Sequence, residues 1–405
     1  MTPPRPTQIP AEKTGSFEDY LETELDRVRA ENRWRFFRPV TGSQGPTVQA
    51  AGRELLMLAS NNYLGLAGDP RISEAIGEAL RTDGTGSGAS RHISGSMDRH
   101  QELEERLAAF KGTEAAVLYN TGYMANVGII SSLLGPGDAV FSDELNHASI
   151  IDGCRLSGAE KEIYRHSDMN DLERRLKKTA ARHKLIVTDA VFSMDGDVAK
   201  LREIADLSRR YGAWTMVDEA HATGVFGRSG RGLVDHLGLT GKIDIVMGTL
   251  GKSLGGFGAF AAGSRRLIDF LINKSRMLIF TTALPPAVCA GVIRALDILE
   301  SEPDRIARLH RLSARYRDRL VSAGLDICGS VTPIVPVRIG PEDRTLAIAQ
   351  DLWNEGFFSI AIRPPTVPPG TCRIRTTVMA THTEADLDRA AAAIATACQR
   401  HGVIH

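Results

Sequence analysis

From residue 115 to residue 262 the sequence alternates short apolar runs with stretches of helical spacing. The helical stretches include residues 168–181 and 201–211. The apolar runs that we predict as strands are residues 115–119, 139–142, 161–164, 185–188, 214–217, 243–247 and 259–262. Strands and helices in regular alternation build a mainly parallel sheet that is covered by helices on both faces. The sequence therefore predicts an α/β fold around a large, doubly wound, mainly parallel sheet of seven strands.

The N-terminal part carries two helix signatures. Ser16 is a predicted N-cap, because Asp19 follows three residues later and apolar residues then recur at helical spacing. We expect this helix to belong to an arm rather than to the core, and the proline-rich leader 1–14 to be flexible. Pro70 opens a second helix. The residues of this second helix that we expect to face the core are Ile72, Ile76 and Leu80.

The C-terminal part has a different character. A long helical region runs from Pro285 to about residue 323, and residues 333–401 combine strands with a closing helix in a smaller α+β unit. The predicted organisation is an N-terminal arm over residues 1–58, a large domain over 59–298 and a small C-terminal domain over 299–405.

Composition excludes several classes of function. Lysine plus arginine and aspartate plus glutamate both number 49, so the formal net charge of +0 favours neither nucleic acid nor an anionic membrane surface as a partner. The five cysteines are scattered and form no C-x-x-C pair, which argues against a disulfide framework and a zinc site. No run reaches the roughly 18 apolar residues of a membrane span. We expect a cytoplasmic protein without a metal.

Lys252 follows the predicted strand 243–247 in a loop of glycines and hydroxyl residues. In a doubly wound sheet, ligands bind outside the carboxyl ends of the strands, and glycines let the backbone approach them closely. Three interpretations compete: a solvated lysine, a P-loop lysine, and a lysine that forms a Schiff base with a cofactor. The P-loop fails, because the position five before Gly251 is Val246 and not glycine. The neighbouring strand ends must decide between the other two.

Asp218 directly ends an apolar strand, and His221 follows three residues later. A buried carboxylate is costly unless it meets a cation. A protonated pyridine nitrogen is such a cation, and an aspartate partner keeps it protonated so that the ring acts as an electron sink. His221 would then hydrogen-bond the phenolic oxygen of the ring. The alternative, a magnesium-binding pair of Asp218 and Glu219, lacks the P-loop that would accompany it.

Three further strand ends carry polar or flat side chains. Thr121, Gly122 and Tyr123 open a helix, whose N-terminal amides can hold a phosphate while the tyrosine lies against a ring. His147 is a flat group that can stack on a planar cofactor, and Ser193 brings a hydroxyl to the same edge. Taken singly, these are equally consistent with a surface histidine and a capped turn. Together with the strand-end lysine and aspartate they predict a site for pyridoxal phosphate.

Five segments carry a resemblance that covers the chain from about residue 17 to the C-terminus. They are ASNNYLGL (59–66), NHASIIDG (146–153), VDEAH (217–221), GTLGK (248–252) and RIRT (373–376). In these segments the chain resembles the α-oxoamine synthase family of pyridoxal-phosphate enzymes, which have fold type I. The resemblance implies an enzyme that condenses an amino acid with an acyl thioester and releases carbon dioxide.

The acyl side of the site distinguishes branches of this family. The loop AIRPPTVPPG (361–370) resembles the branch that joins L-alanine to a pimeloyl thioester in biotin synthesis. Segment 146–153 and the ending 399–404 also resemble the branch that transfers an acetyl group to glycine, so that activity and a dual specificity stay open. The same cofactor site would also serve aminotransfer or β-elimination. Coenzyme A and a carrier protein both stay open as the carrier of the acyl chain.

The resemblance also implies roles for individual residues. Lys252 would hold the cofactor and remove the Cα proton of the amino acid, and His147 would stack on the ring. Arg375 would bind the carboxylate of the amino acid, and Arg363 would offer a cation to the distal carboxylate of a pimeloyl chain. The cofactor ring would contact Asp218 and His221, and the oxygen and phosphate of the cofactor would contact Ser193 and Thr249. The helix start at Thr121, Gly122 and Tyr123 would hold the phosphate and the ring, and the substrate would contact Arg35, Asn61 and Thr366. The phosphate of a neighbouring subunit would contact Thr281 and Thr282. The last pair implies a homodimer with shared active sites.

Overall fold

The computed structural model describes residues 15–404, so the predicted leader 1–14 lies outside the described residues. The strands are β1 (Thr47–Ala50), β2 (Arg53–Met57), β3 (Ala115–Tyr119), β4 (Ala139–Asp143), β5 (Glu160–Tyr164), β6 (Lys184–Asp189), β7 (Trp214–Asp218), β8 (Ile245–Thr249), β9 (Ala259–Gly263), β10 (Ile334–Gly340), β11 (Phe357–Phe358), β12 (Ile360–Ile362) and β13 (Cys372–Thr377). The helices are α1 (Phe17–Ala30), α2 (Pro70–Thr82), α3 (Asp98–Lys111), α4 (Gly122–Leu133), α5 (Ala148–Ser157), α6 (Met169–Lys178), α7 (Leu201–Tyr211), α8 (Leu233–His236), α9 (Arg265–Lys274), α10 (Arg276–Ile279), α11 (Pro286–Ser301), α12 (Asp304–Ser322), α13 (Glu342–Asn354) and α14 (Glu384–Arg400).

The central sheet has seven strands in the order β3-β9-β8-β7-β6-β4-β5. Only β9 runs against its neighbours, and the pairs from β8 across to β5 are parallel. The predicted fold class is therefore confirmed, and each predicted strand belongs to this sheet. The largest difference in a strand start is at β8, which begins at Ile245 rather than at residue 243.

Both faces of the central sheet are buried. In β3, Ala116 and Leu118 pack into the cluster on one face, whereas Val117 and Tyr119 pack into the cluster on the other. This alternation follows from the two-residue period of a strand, and it leaves polar groups for the strand ends. Among the helices within residues 15–404, none combines the length and the apolar composition that a membrane span requires.

The predicted helix starts are confirmed, with one error in the face that α2 buries. Ser16 and Asp19 cap α1 reciprocally, and Pro70 is the first residue of α2. Ile72 is buried, but Leu80 is 42% exposed and Ala79 is buried in its place. At about 100° per residue, Ala79 lies only about 20° around the helix from Ile72, whereas Leu80 lies about 80° away.

Two small sheets flank the central one. Strands β10, β13 and β12 form an antiparallel sheet in that order, as part of the smaller α+β unit expected near the C-terminus. Strand β2 pairs with β1 and, in parallel, with β11, so residues close to the N-terminus join the chain near residue 357. The predicted long helical region is two helices, α11 and α12. The division into arm, large domain and small domain stays a prediction.

Candidate active site

A cavity of about 1500 Å³ lies at the carboxyl ends of the central strands, with residues of β12 and β13 in its wall. The residues predicted from sequence that line it are Arg35, Asn61, His147, Ser193, His221, Lys252, Thr366 and Arg375. Those that do not line it are Thr121, Gly122, Tyr123, Asp218, Thr249, Thr281, Thr282 and Arg363. The rule that ligands bind at the carboxyl ends of the strands, which we call the strand-end rule, thus brings together residues that lie far apart in sequence.

Lys252 lies in a tight loop after β8. The N–H of Gly255 donates to the carbonyl of Lys252, and a Cβ on Gly255, where φ is 64°, would lie 2.4 Å from the backbone nitrogen of Ala67. Only glycine fits there. Burial lowers the pKa of Lys252 to about 8, with Asp218 and Asp189 opposing the shift and Arg375 adding to it. The amine is therefore far easier to deprotonate than an ordinary lysine.

Asp218 is 3% exposed and its carboxylate is held from two sides. Oδ2 accepts a hydrogen bond of 2.7 Å from Nδ2 of Asn126, and Oδ1 accepts one of 2.8 Å from the N–H of Ala220. Glu219 faces elsewhere, because its carboxylate pairs with the buried Lys111 at 2.6 Å. The two adjacent acids therefore do not form a magnesium-binding pair.

His221 is buried beside Tyr63, whose hydroxyl lies 2.7 Å from the histidine Nδ1. Burial lowers the pKa of His221 well below its usual value, and the positive charges of Lys252 and Arg375 add to this effect. The imidazole is therefore neutral at pH 7. Tyr63 belongs to the quoted segment 59–66, but the sequence reasoning assigned it no role.

His147 is the N-cap of α5 and lies in the cavity wall. Its backbone N–H donates to Oδ2 of Asp189 at 2.7 Å, which fixes the start of the helix at the end of β6. Asp189 at the end of β6 pairs with Asp218 at the end of β7. Burial and the negative charge of Asp218 raise the pKa of Asp189 well above its usual value. Sequence reasoning missed Asp189, although the rule that found Asp218 applies equally to the end of β6.

The start of α4 forms a narrow polar cleft against β8. Thr121 caps the helix by accepting from the N–H of Met124, and a Cβ on Gly122 would lie 2.7 Å from Cγ2 of Thr249. The hydroxyl of Tyr123 donates to Asp152 of α5. The first N–H groups of a helix lack intrahelical partners, so this cleft suits an anion.

Thr281 and Thr282 lie away from the cavity of their own chain. The carbonyl of Thr282 accepts a hydrogen bond of 2.7 Å from Nδ2 of Asn120, and its backbone forms an isolated bridge with Ser90. Their predicted contact with a neighbouring subunit stays a prediction.

Arg375 of β13 reaches the cavity with one side of its guanidinium. Nε donates to the carbonyl of Ser193 at 2.6 Å and Nη2 to Oδ1 of Asn61 at 3.1 Å. Nη1 has no hydrogen bond to any of the described residues and remains available to an anion. Arg373, two residues earlier, instead donates to Asp195 and to the carbonyl of Thr371.

His166 holds the loop that carries Ser193. Its Nδ1 and Nε2 lie 2.9 Å from Asp143 and 2.9 Å from Asp197, and its ring contacts Phe192 edge to face. Burial alone would lower the pKa of His166, but the two carboxylates raise it to about 10. The imidazole is therefore charged at neutral pH and bridges the end of β4 to the loop after β6.

The outer end of the cavity is formed by loops. Arg35 lies in the wall, is exposed, and has no hydrogen bond or ion pair within residues 15–404. The guanidinium of Arg363 donates to the carbonyls of Asn32 and Trp34 and does not reach the wall. Arg363 thus ties its loop to the segment that carries Arg35, and its predicted contact with substrate stays a prediction.

Comparison with known proteins assigns the family. The model of the aminotransferase class I and II family matches residues 53–394. The chain is 53% identical to the 8-amino-7-oxononanoate synthase of Geobacter sulfurreducens over 94% of this chain and 98% of that protein. It is 47% identical to 8-amino-7-oxononanoate synthase 1 of Bacillus velezensis, over 94% of this chain and 98% of that protein.

Solved structures agree with this assignment. The serine palmitoyltransferase of S. paucimobilis superimposes with a TM-score of 0.91 at 33% identity, covering 97% of this chain and 100% of that chain. The 8-amino-7-oxononanoate synthase of Francisella tularensis superimposes with a TM-score of 0.75 at 26% identity, covering 86% and 99%. The chain belongs to the class I and II aminotransferase family and, within it, to the α-oxoamine synthases.

Proposed function

We propose that this protein condenses L-alanine with a pimeloyl thioester to give 8-amino-7-oxononanoate, carbon dioxide and free thiol, a step of biotin biosynthesis. The observation that carries the choice of substrates is the 53% identity, over 94% of the chain, to a protein of that name. The site supports the class of reaction, because a lysine of lowered pKa lines the cavity and the buried strand-end carboxylate of Asp218 lies close enough to influence that pKa. A cytoplasmic location belongs to the proposal and agrees with the five free cysteines.

The residues present fit pyridoxal phosphate as the cofactor. When bound, it supplies an aldehyde that captures amines and a ring that accepts the electrons of a carbanion. The cleft between Gly122 and Thr249 has room for no added Cβ, and the helix N-terminus there suits the phosphate. Asp218 is a buried, oriented carboxylate that matches a protonated ring nitrogen. The neutral imidazole of His221 suits the phenolic oxygen.

Three side chains of the cavity have separate roles in this reaction. Lys252 Nζ holds the cofactor and, once released, takes the Cα proton of alanine, a task that suits a pKa of about 8. Arg375 binds the carboxylate of alanine through Nη1, which has no hydrogen bond to the described residues, and Asn61 and the carbonyl of Ser193 keep the guanidinium in place. His147 lines the wall of the same cavity.

The outer end of the cavity receives the acyl chain in this proposal. Arg35 is a cation in the wall with no partner among residues 15–404 and suits the distal carboxylate of a pimeloyl group. Thr366 lines the same end. Arg363 acts through its hold on the backbone of Asn32 and Trp34. Coenzyme A and a carrier protein are both compatible with this arrangement.

A homodimer with shared sites is part of the proposal. It rests on Thr281 and Thr282, which do not line the cavity of their own chain and would instead contact the cofactor phosphate in the site of the second subunit. Mixing an inactive Lys252→Ala subunit with an inactive Thr282→Ala subunit should restore part of the activity, because one mixed site then has both residues intact. No recovery in a mixture shown to exchange subunits would contradict shared sites.

A paired assay tests the reaction. The purified protein is given L-alanine with pimeloyl-CoA, glycine with acetyl-CoA, and L-serine with palmitoyl-CoA, and the release of free thiol is followed. We expect the first pair to be used most efficiently by kcat/KM. A preference for glycine with acetyl-CoA would establish the alternative branch. Absence of thiol release with every pair, together with amino-group transfer to an oxo acid, would contradict the acyl-transfer assignment.

A further inference from the structure

A buried series of hydrogen bonds connects the aspartate beneath the cavity to the histidine in its wall. Nδ2 of Asn126, on α4, lies 2.7 Å from Oδ2 of Asp218 and 2.9 Å from Oγ of Ser149. Oγ of Ser149 lies 2.7 Å from Nδ1 of His147. Asn126 and Ser149 are each only 1% exposed. Neither residue belongs to the set of site residues predicted from sequence.

The chemistry of these groups fixes the direction of the two hydrogen bonds that Asn126 makes. The amide nitrogen of Asn126 carries two protons and accepts none. Turning the amide over would place Oδ1 against the carboxylate oxygen of Asp218, so the carboxylate orients it. Asn126 therefore donates one proton to Asp218 and the other to Oγ of Ser149. The hydroxyl proton of Ser149 is then free to be donated to His147.

Two groups of Ser149 lie against Nδ1 of His147, and one of them, the backbone N–H, can only donate. Besides the hydroxyl of Ser149, the backbone N–H of Ser149 donates to the same nitrogen at 3.3 Å. A nitrogen that accepts hydrogen bonds carries a lone pair, so the proton of the neutral ring resides on Nε2. Nε2 has no hydrogen-bond partner within residues 15–404, and His147 lines the cavity.

We propose that Asn126 and Ser149 are positioning residues that hold His147 in its Nε2–H form, so that the ring presents an N–H donor to the cavity. One amide thereby orients both the carboxylate of Asp218 and, through Ser149, the imidazole. This inference rests on the proposed function where it concerns catalysis: attack on the acyl thioester places negative charge on the carbonyl oxygen, and a fixed N–H donor stabilises such charge.

The unsatisfied carbonyl of Asn126 supports this reading over a purely structural role. Oδ1 is buried and has no hydrogen-bond partner among the described residues, which costs folding free energy. An apolar side chain of similar size would avoid that cost within the apolar stretch of α4, which includes Val127, Ile129 and Ile130. The amide's two protons are the feature that an apolar side chain cannot supply.

The tautomer can be measured without cofactor or substrate. The full-length protein, labelled with ¹⁵N in its imidazoles, is studied by NMR, and the signals of His147 are assigned by their loss in His147→Gln. We expect a pyridine-like shift for Nδ1 and a pyrrole-like shift for Nε2. A protonated Nδ1 in the wild-type protein would overturn the proposal, whatever any variant does.

Variants then test the two positioning residues. Ser149→Ala removes the hydroxyl and leaves Nδ1 with only the longer backbone N–H contact of 3.3 Å, and Asn126→Leu removes the proton donated to that hydroxyl. Both variants should therefore raise the fraction of the Nδ1–H form and yield a mixture of tautomers. Ser131→Ala, on the same helix as Asn126, and Asn273→Leu, on the exposed side of α9, are matched controls that should leave the signals of His147 unchanged. An unchanged single tautomer in a folded Ser149→Ala protein would overturn the proposed role.

The steady-state kinetics of the holoenzyme separate this inference from the proposed function. Ser149→Ala should lower kcat for condensation by about tenfold while leaving the KM for L-alanine within about twofold. A full kcat in a Ser149→Ala protein with mixed tautomers would overturn the catalytic use of the N–H. If the wild-type protein condenses no acyl thioester, the proposed function fails, whereas the tautomer measurement still decides the roles of Asn126 and Ser149.

Discussion

Asp218, behind the inner end of the cavity, and His221, in its wall, are buried, and each has a hydrogen-bond partner from a distant part of the chain. At the outer end, by contrast, Arg35 is exposed and has no partner within residues 15–404. The inner groups stand at the ends of strands in a sheet that is buried on both faces. The outer groups stand in loops, and the hydrogen bonds of Arg363 there go to backbone carbonyls.

This difference shows that the fold of the central sheet determines the geometry of the inner end of the site. Rigid strand ends place the lysine, the aspartate and the imidazoles with the accuracy that a shared cofactor chemistry needs, and loops can change without disturbing them. The inner end should therefore govern whether the reaction occurs, and the outer end which acyl chain is used. Changes at the two ends should affect different kinetic constants.

The largest effect is expected at Asp218. Asp218→Asn keeps the shape but removes the negative charge, so kcat should fall by roughly 10²–10³-fold. The same change removes an anion that raises the pKa of Lys252, so that pKa should drop below about 8. Asp244→Asn, beside Thr215 at the opposite end of the sheet, is the matched control. A kcat within about twofold of wild type would show that the inner carboxylate has no part in the chemistry.

The next effect concerns the amino-acid carboxylate. Arg375→Lys keeps the charge but loses the fork of donors, so the KM for L-alanine should rise about 10–100-fold while the KM for the acyl thioester stays nearly constant. Arg373→Lys is the control on the same strand, since that guanidinium is already paired with Asp195. Equal effects of the two substitutions on the KM for alanine would contradict the role of Arg375.

A smaller effect is expected at the outer end. Arg35→Gln should raise the KM for pimeloyl-CoA by about two- to fivefold, because an exposed ion pair is worth little, and the difference should shrink at high salt. Acyl thioesters of similar length without a distal carboxylate should show no difference between wild type and variant. A fall in kcat for every acyl chain would instead place Arg35 in the chemistry.

The smallest effect on catalysis, but a measurable one on stability, is expected at His166. Its pKa in the folded protein, about 10, lies above the value of about 6.5 in an unfolded chain. Its stabilising contribution is therefore fully present below pH 6.5 and declines as pH rises through 10. His166→Gln should lower the free energy of unfolding by about 1–3 kcal/mol at pH 6 and by less at pH 10. Denaturant titrations at the two pH values check this, and a constant difference would contradict it.

Sequence reasoning performed best where one local rule applies. The apolar runs located every strand of the central sheet, and the strand-end rule brought Lys252, His147 and His221 to one cavity. The pairing of β2 with β11 was not predictable, because it joins short segments about 300 residues apart that carry no periodic signal.

The residues that sequence reasoning missed act through partners. Asn126 lies inside an apolar helix, and only its hydrogen bonds to Asp218 and Ser149 reveal it. A side-chain amide within such an apolar helix was the available signal. Arg363 shows another case, because sequence reasoning predicted a contact with substrate for it but did not foresee that its guanidinium donates to the backbone carbonyls of Asn32 and Trp34. Tertiary contacts decide both cases.

The most direct test of the inner end asks which lysine captures pyridoxal phosphate, and at what pH. The apo protein is mixed with the cofactor at a series of pH values, trapped with borohydride and digested, and the labelled peptide is identified by mass spectrometry. We expect a single label on Lys252, with an initial rate that rises with pH through about 8, since only the neutral amine reacts. A label on another lysine, or a rate that rises only near the ordinary lysine pKa of about 10.4, would contradict the account.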